Sequence, residues 1–147
     1  MRVLLVEDEA LILMQLEVLV EEAGHLVVGT ATRSAEAVEV AFATRPDVVL
    51  LDLSLSDGDS GLDVAAALQP ISGLVVVFIT ANPRRLGNHL AGAAGVITKP
   101  FSRAVLVRGL SYVEECVRNP PPVGLPPIGM RMAPHFQPRS VQAASLI

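Results

Sequence analysis

Pro46-Asp47-Val48-Val49-Leu50-Leu51-Asp52 reads as a buried strand that ends on a carboxylate. Three more apolar runs end on chemistry in the same way. Val3-Leu4-Leu5-Val6 leads into Glu7-Asp8, Leu74 to Ile79 into Thr80, and Gly95-Val96-Ile97-Thr98 into Lys99-Pro100. Near-continuous Val, Leu and Ile content marks strands buried on both faces, as in parallel sheets. Parallel strands place their carboxyl ends along one edge, where open α/β sheets bind ligands. Three acids, a hydroxyl and an ammonium would then converge.

The strands expected from this pattern are Arg2–Val6, Leu26–Thr30, Asp47–Leu51, Leu74–Ile79 and Gly95–Thr98. An amphipathic or alanine-rich stretch follows each. Glu9–Ala23 ends at Gly24, a natural residue just past a helix. Ser34–Thr44 stops before Arg45-Pro46. A short helix spans about Gly61 to Leu68. Another opens with Asn82 and Pro83, and the last is Ser102–Val117 with Ser102 as its N-cap. Five βα units predict a doubly wound, five-stranded parallel α/β sheet of flavodoxin-like (βα)5 type.

Residues 1–118 account for that domain. Beyond it the composition shifts: seven of the 11 prolines lie between Pro120 and Pro138. Residues 119–147 are expected to be a flexible, disordered Pro-rich tail.

The 147-residue chain is long enough for one domain with a real core. Its apolar fraction is 51%, yet no run approaches a membrane span. Glu7, Asp8 and Glu9 interrupt the first apolar run too early for a signal peptide. Cys116 is the single cysteine, so no internal disulfide is possible, and a cytoplasmic location is expected. Through Asn119 there are 15 acids and 9 bases, a net charge of -6. Such a body argues against direct nucleic-acid binding. His25, His89 and His135 form no metal-ligand pattern and read as packing or surface residues.

The carboxylates define the chemistry. Glu7, Asp8 and Asp52, held about 4–6 Å apart, would repel and raise one another's pKa. A divalent cation relieves that conflict, and an oxygen-only set suits Mg²⁺. Such a site could neutralise a phosphoryl group while Asp52 attacks it. Thr80 offers a hydrogen-bond donor. Lys99, the single lysine among ten arginines, offers a compact point charge. Taken singly, each residue has a plainer reading: charges at a helix N-terminus, a turn threonine, a loop lysine. Their shared position at successive strand ends favours a site.

These residues resemble the receiver domain of two-component response regulators over about Met1–Val117. Val6-Glu7-Asp8-Glu9 is similar to its acidic turn, Leu50-Leu51-Asp52-Leu53 to its phosphoacceptor strand end, Phe78-Ile79-Thr80-Ala81 to its switch hydroxyl, and Thr98-Lys99-Pro100-Phe101 to its lysine–proline end. The resemblance implies Asp52 as phosphoacceptor, with Thr80 and Lys99 as its catalytic partners. It implies Mg²⁺ held by Asp8, Asp52 and the Ser54 carbonyl, with Glu7 acting through water. It also implies a cis Lys99–Pro100 bond, and a histidine kinase or histidine phosphotransfer protein as donor.

Two departures stand out. The position three before the lysine, usually aromatic and part of the switch with Thr80, is Val96. The loop from Leu53 to Gly61 is one residue longer than usual and lacks the common proline; its Asp57 and Asp59 read as solvated turn residues. The Gly/Ala-rich segment Asn82–Ala94 is expected to be a marginal helix that phosphorylation reorders. Leu11, Met14 and Val18 extend beyond the core stripe of the first helix, either as core or as a face where the phosphodonor docks.

The expectation is a stand-alone phosphorylation-dependent switch, monomeric or weakly dimeric, with an unidentified downstream protein and no enzymatic activity beyond its own phosphorylation and dephosphorylation. One alternative is the receiver half of a longer transcription regulator. The other is an aspartyl-phosphate phosphatase, disfavoured because Ser54 stands where those enzymes carry a second acid.

Overall fold

The computed structural model describes residues 1–56 and 61–136. Strands β1 (Arg2–Val6), β2 (Leu26–Ala31), β3 (Val48–Asp52), β4 (Val75–Thr80) and β5 (Gly95–Thr98) form a parallel sheet in the order 2-1-3-4-5. The doubly wound expectation holds. Strands β1 and β3 are neighbours, although the chain leaves β1 toward β2 on one side and returns to β3 on the other. The crevice at this reversal is where such sheets bind ligands.

Helices α1 (Ala10–Glu22) and α4 (Arg103–Arg118) cover one face, and α2 (Ser34–Thr44) and α3 (Gly61–Leu68) the other. Strand residues alternate between the two cores. Val3, Leu5, Leu50 and Ile97 pack with Leu16, Leu106 and Leu110. Leu4, Val49, Leu51 and Phe78 pack with Ala37, Val64 and Leu68. All five residues of β3 are buried, which explains its unbroken apolar run. Local signals set the helix ends. Ser102 Oγ accepts the Val105 N–H at 3.1 Å, and Gly24 follows α1 with φ +87°.

The expected helix over 82–94 forms only two 3₁₀ turns, Pro83–Leu86 and Leu90–Gly92. Gly87, Leu90, Ala91 and Gly92 all have positive φ, which breaks the α-helical ladder. Leu90 takes that conformation with its side chain fully buried, so core packing overrides local backbone preference.

The second departure is the tail. Residues Met130–Met132 form β6, which pairs antiparallel with β5 and makes the sheet six-stranded. The expected flexible tail is therefore folded over this described part. Met130 and Met132 project from the same side of the strand and are buried against the α1/α4 core, while Arg131 between them is exposed. Three residues with this alternation suffice to pair an edge, even within a segment whose composition reads as linker. The Tyr112 hydroxyl donates to the Gly124 carbonyl at 3.1 Å, and Val123 N–H to Glu115 Oε1 at 2.8 Å. Cys116 is buried beneath this segment, and burial lifts its thiol to about 11, which leaves it unreactive. Among the described residues, no helix is long and apolar enough to cross a membrane.

Candidate functional site

The acidic site is built from three strand ends. Val6 lies in register with Leu51, so the residues after β1 and the last residue of β3 emerge side by side. One oxygen each from Glu7, Asp8 and Asp52 falls within 4.8 Å of the others. Glu7 and Asp52 are buried at 1% and 6% exposure, while Asp8 is more open. Lys99, just past β5, reaches back across the sheet edge. Its Nζ lies 2.6 Å from Glu7 Oε1 and 3.6 Å from Asp52 Oδ2. The Lys99–Pro100 peptide is cis.

Main-chain donors hold the carboxylates in place. Ser54 N–H donates to Asp52 Oδ1 at 3.0 Å, and Ser56 N–H to Asp8 Oδ2 at 3.0 Å. The Ser54 backbone thus stands beside the Asp52 carboxylate. Thr80 ends β4 one strand over, buried, and its Oγ1 accepts the Asn82 N–H at 3.0 Å. Lys99 N–H donates to the Thr80 carbonyl at 2.8 Å, coupling the two strand ends. Val96 is buried within β5, in register with Phe78 on one side and Arg131 on the other. Asp57 and Asp59 lie outside the described residues.

The charges are strongly perturbed. Burial, and next a hydrogen bond with Asp52, raise the Glu7 carboxyl to about 7 despite Lys99 beside it. Burial pulls the Lys99 ammonium down, but the hydrogen bond it donates to Glu7 and the charges of Asp52, Glu7 and Glu9 outweigh it, so the net shift is upward. One lysine cannot compensate three clustered carboxylates, and a proton or a cation must make up the difference. An all-oxygen donor set at this spacing fits a divalent ion such as Mg²⁺.

Two site-bordering contacts were not legible in the sequence. One is the Ser56 N–H on Asp8. The other is Arg85, whose Nη1 donates to Ser54 Oγ at 3.2 Å and bridges the turn after Thr80 to the loop after Asp52. An arginine in a polar turn carries no signal of such a role.

With this geometry in place, similarity to known proteins is informative. A response regulator receiver domain model matches residues 3–111. The chain belongs to the response regulator receiver family. The phyllosphere-induced regulator PhyR of Methylorubrum extorquens is 45% identical over 104 residues, which cover 69% of this chain and 39% of that protein. The transcriptional regulatory protein PdtaR of Mycobacterium tuberculosis is 38% identical over 109 residues, covering 72% of this chain and 53% of that protein. The solution structure of the receiver domain of Erythrobacter litoralis PhyR superposes with a TM-score of 0.70 at 35% identity, covering 84% of this chain and 95% of that one. The chain thus spans 39% and 53% of the length of these two curated relatives. Its role is that of a receiver in two-component signalling.

Proposed function

We propose that the chain is a phosphorylation-dependent switch that accepts a phosphoryl group on Asp52 from a histidine kinase or histidine phosphotransfer protein. One observation carries this reading: Glu7, Asp8 and Asp52 converge at β1 and β3 while Lys99 closes on them from β5. An Asp52 oxygen attacks phosphorus, a P–O bond forms, and the P–N bond to the donor imidazole breaks. The leaving nitrogen keeps the bonding pair and takes up a proton. Glu7, Asp8, Asp52 and the Ser54 carbonyl would hold Mg²⁺, which supplies charge neutralisation when bound. Lys99 and the Thr80 hydroxyl each take one phosphoryl oxygen. The donor docks on the exposed Leu11, Met14 and Val18 of α1, which begins immediately after the acidic turn.

In this reading the protein turns over no external substrate, and Ser54, two residues past Asp52, supplies no acid for phosphatase chemistry. It works in the cytoplasm as a monomer or weak homodimer, through a protein target rather than nucleic acid or a membrane. A second reading, the receiver part of a longer regulator, is favoured by the greater length of PhyR and PdtaR.

Intact-protein mass spectrometry after incubation with acetyl phosphate tests the central claim. One added phosphoryl mass that requires Mg²⁺ and vanishes in Asp52→Ala supports it. An adduct that survives Asp52→Ala refutes the assignment.

A further inference from the structure

The segment after Ile128 crosses the β5 edge and reaches the turn that follows Thr80. Two hydrogen bonds bracket its pairing: Thr98 N–H to the Gly129 carbonyl at 3.0 Å and Ala133 N–H to the Ala94 carbonyl at 2.8 Å. The seat is shaped for it. A Cβ on Gly95 would lie 2.9 Å from Met132 Sδ and 3.1 Å from the Arg131 carbonyl. A Cβ on Gly109 of α4 would lie 3.0 Å from Met130 Sδ. Glycine at both positions lets the two methionines sink against the sheet and the helix.

This seat is wired to the acidic site. Thr98 binds the strap through its N–H. The next residue, Lys99, binds the Thr80 carbonyl through its own N–H and Glu7 through its side chain. On the other side, the Arg131 guanidinium lies 3.5 Å from the carbonyl of Pro83, three residues past Thr80. Between these contacts lies a cleft of about 250 Å³ lined by Pro83, Val96, Thr98, Gly129, Met130 and Arg131. A valine at position 96 leaves that space unfilled.

We propose that residues 129–133 form a strap over the β5 edge that phosphorylation of Asp52 releases. The proposal rests on Asp52 being the phosphoacceptor. A phosphoryl group there draws the Lys99 ammonium away from Glu7 and turns the Thr80 hydroxyl toward a phosphoryl oxygen. Both movements pull on the segments that hold the strap, Thr98–Lys99 and the Pro83 turn. The strap is the element that yields, because a three-residue edge strand is among the least stable parts of a sheet. Release leaves the backbone groups of β5 unpaired and uncovers Met130 and Met132. The signal is thereby a change in the sheet edge in place of an aromatic side-chain movement at position 96.

Residue-resolved amide exchange on the full chain, with phosphorylation state followed by intact mass, tests this. Protection of the Thr98 and Ala133 amides should fall about tenfold or more when the adduct forms, as local opening becomes easier. Protection of the central Leu50 amide should not change. Arg131→Ala, at an exposed position, should open the strap before phosphorylation and shrink the difference between the two states. Equal protection with and without a full adduct overturns the strap and leaves the phosphoacceptor reading intact. No adduct at all removes that reading, and phosphorylation-driven release falls with it.

Discussion

Lys99 Nζ and Glu7 Oε1, 92 positions apart in sequence, lie 2.6 Å apart beneath the sheet edge. Glu7 is 1% exposed, so the pair is formed largely out of water. Removing one partner from a buried pair costs about 3–5 kcal/mol, because the remaining charge is left uncompensated. Lys99→Met should therefore lose about 3 kcal/mol at pH 8 without Mg²⁺, and clearly less at pH 5, where Glu7 is protonated. Urea denaturation at the two pH values checks this. An equal loss at both would place the role of Lys99 in packing alone.

Burial of Glu7 beside Asp52 sets a pH dependence that Lys99 only partly offsets. The folded-state pKa of Glu7, about 7, lies above its ordinary 4.5, so the folded state binds the proton more tightly than the unfolded chain. Stability from that proton is fully present below about 4.5 and is lost as pH rises through about 7. At about 1.4 kcal/mol per unit, the loss reaches at most about 3–4 kcal/mol. Glu7→Gln should flatten the decline over this window. A wild-type protein in chelator that holds constant stability from pH 4 to 8 would contradict it.

Mg²⁺ should oppose that decline. Binding to the folded state alone stabilises by about 2.7 kcal/mol at a hundredfold excess over Kd. The gain should be larger at pH 8 than at pH 5, because protonated Glu7 weakens the acidic set. Asp8→Asn should reduce it, and chelation should reverse it. Thermal denaturation with and without Mg²⁺ gives the answer, and a Tm indifferent to the ion at both pH values would remove the metal from the site.

Much of the fold and site was legible because buried parallel strands write themselves as continuous apolar runs. Val48–Asp52 announced both a central strand and, through its last residue, a carboxylate at the sheet edge. Asp52, Thr80 and Lys99 could be placed together without knowing a single distance. The failures share another cause. Asn82–Ala94 opens with helix-start signals, but Leu90 is drawn into the core with positive φ, a tertiary effect no local pattern contains. Met130–Met132 is too short to show periodicity, and its strand character comes from the β5 edge it meets. Arg85 and Ser56 join the site through turns whose course composition does not encode.

Gly61 offers a steric test of the proposed role of Asp52. Its N–H donates to the Leu53 carbonyl at 2.7 Å, and a Cβ there would strike the Asp52 carbonyl and lie 2.9 Å from Leu53 Cα. Both obstacles are backbone and cannot rotate away. Gly61→Ala should cost about 2–3 kcal/mol, at the high end for a single substitution, and lower the yield of phosphoryl adduct by displacing Asp52. Gly124→Ala meets nothing within 4 Å and should change neither. Parallel denaturation and mass measurements on the two variants make the comparison.

The outer face of α1 separates donor docking from chemistry. Leu16 and Leu19 are buried, whereas Leu11, Met14 and Val18 are 82%, 62% and 54% exposed. Their apolar surface serves no core, so its replacement should leave folding nearly untouched. Acetyl phosphate is too small to need that face, but under the proposed docking a histidine-bearing protein brings its imidazole to Asp52 across it. Met14→Glu should therefore keep Mg²⁺-dependent labelling by acetyl phosphate while slowing transfer from a phosphorylated histidine phosphotransfer protein about tenfold or more, the loss expected when a central apolar anchor is replaced by a charge. Transfer rates measured from both donors on wild type and variant decide it. Equal slowing with both would trace the effect to a disturbed site, and no slowing with either would move the docking face elsewhere.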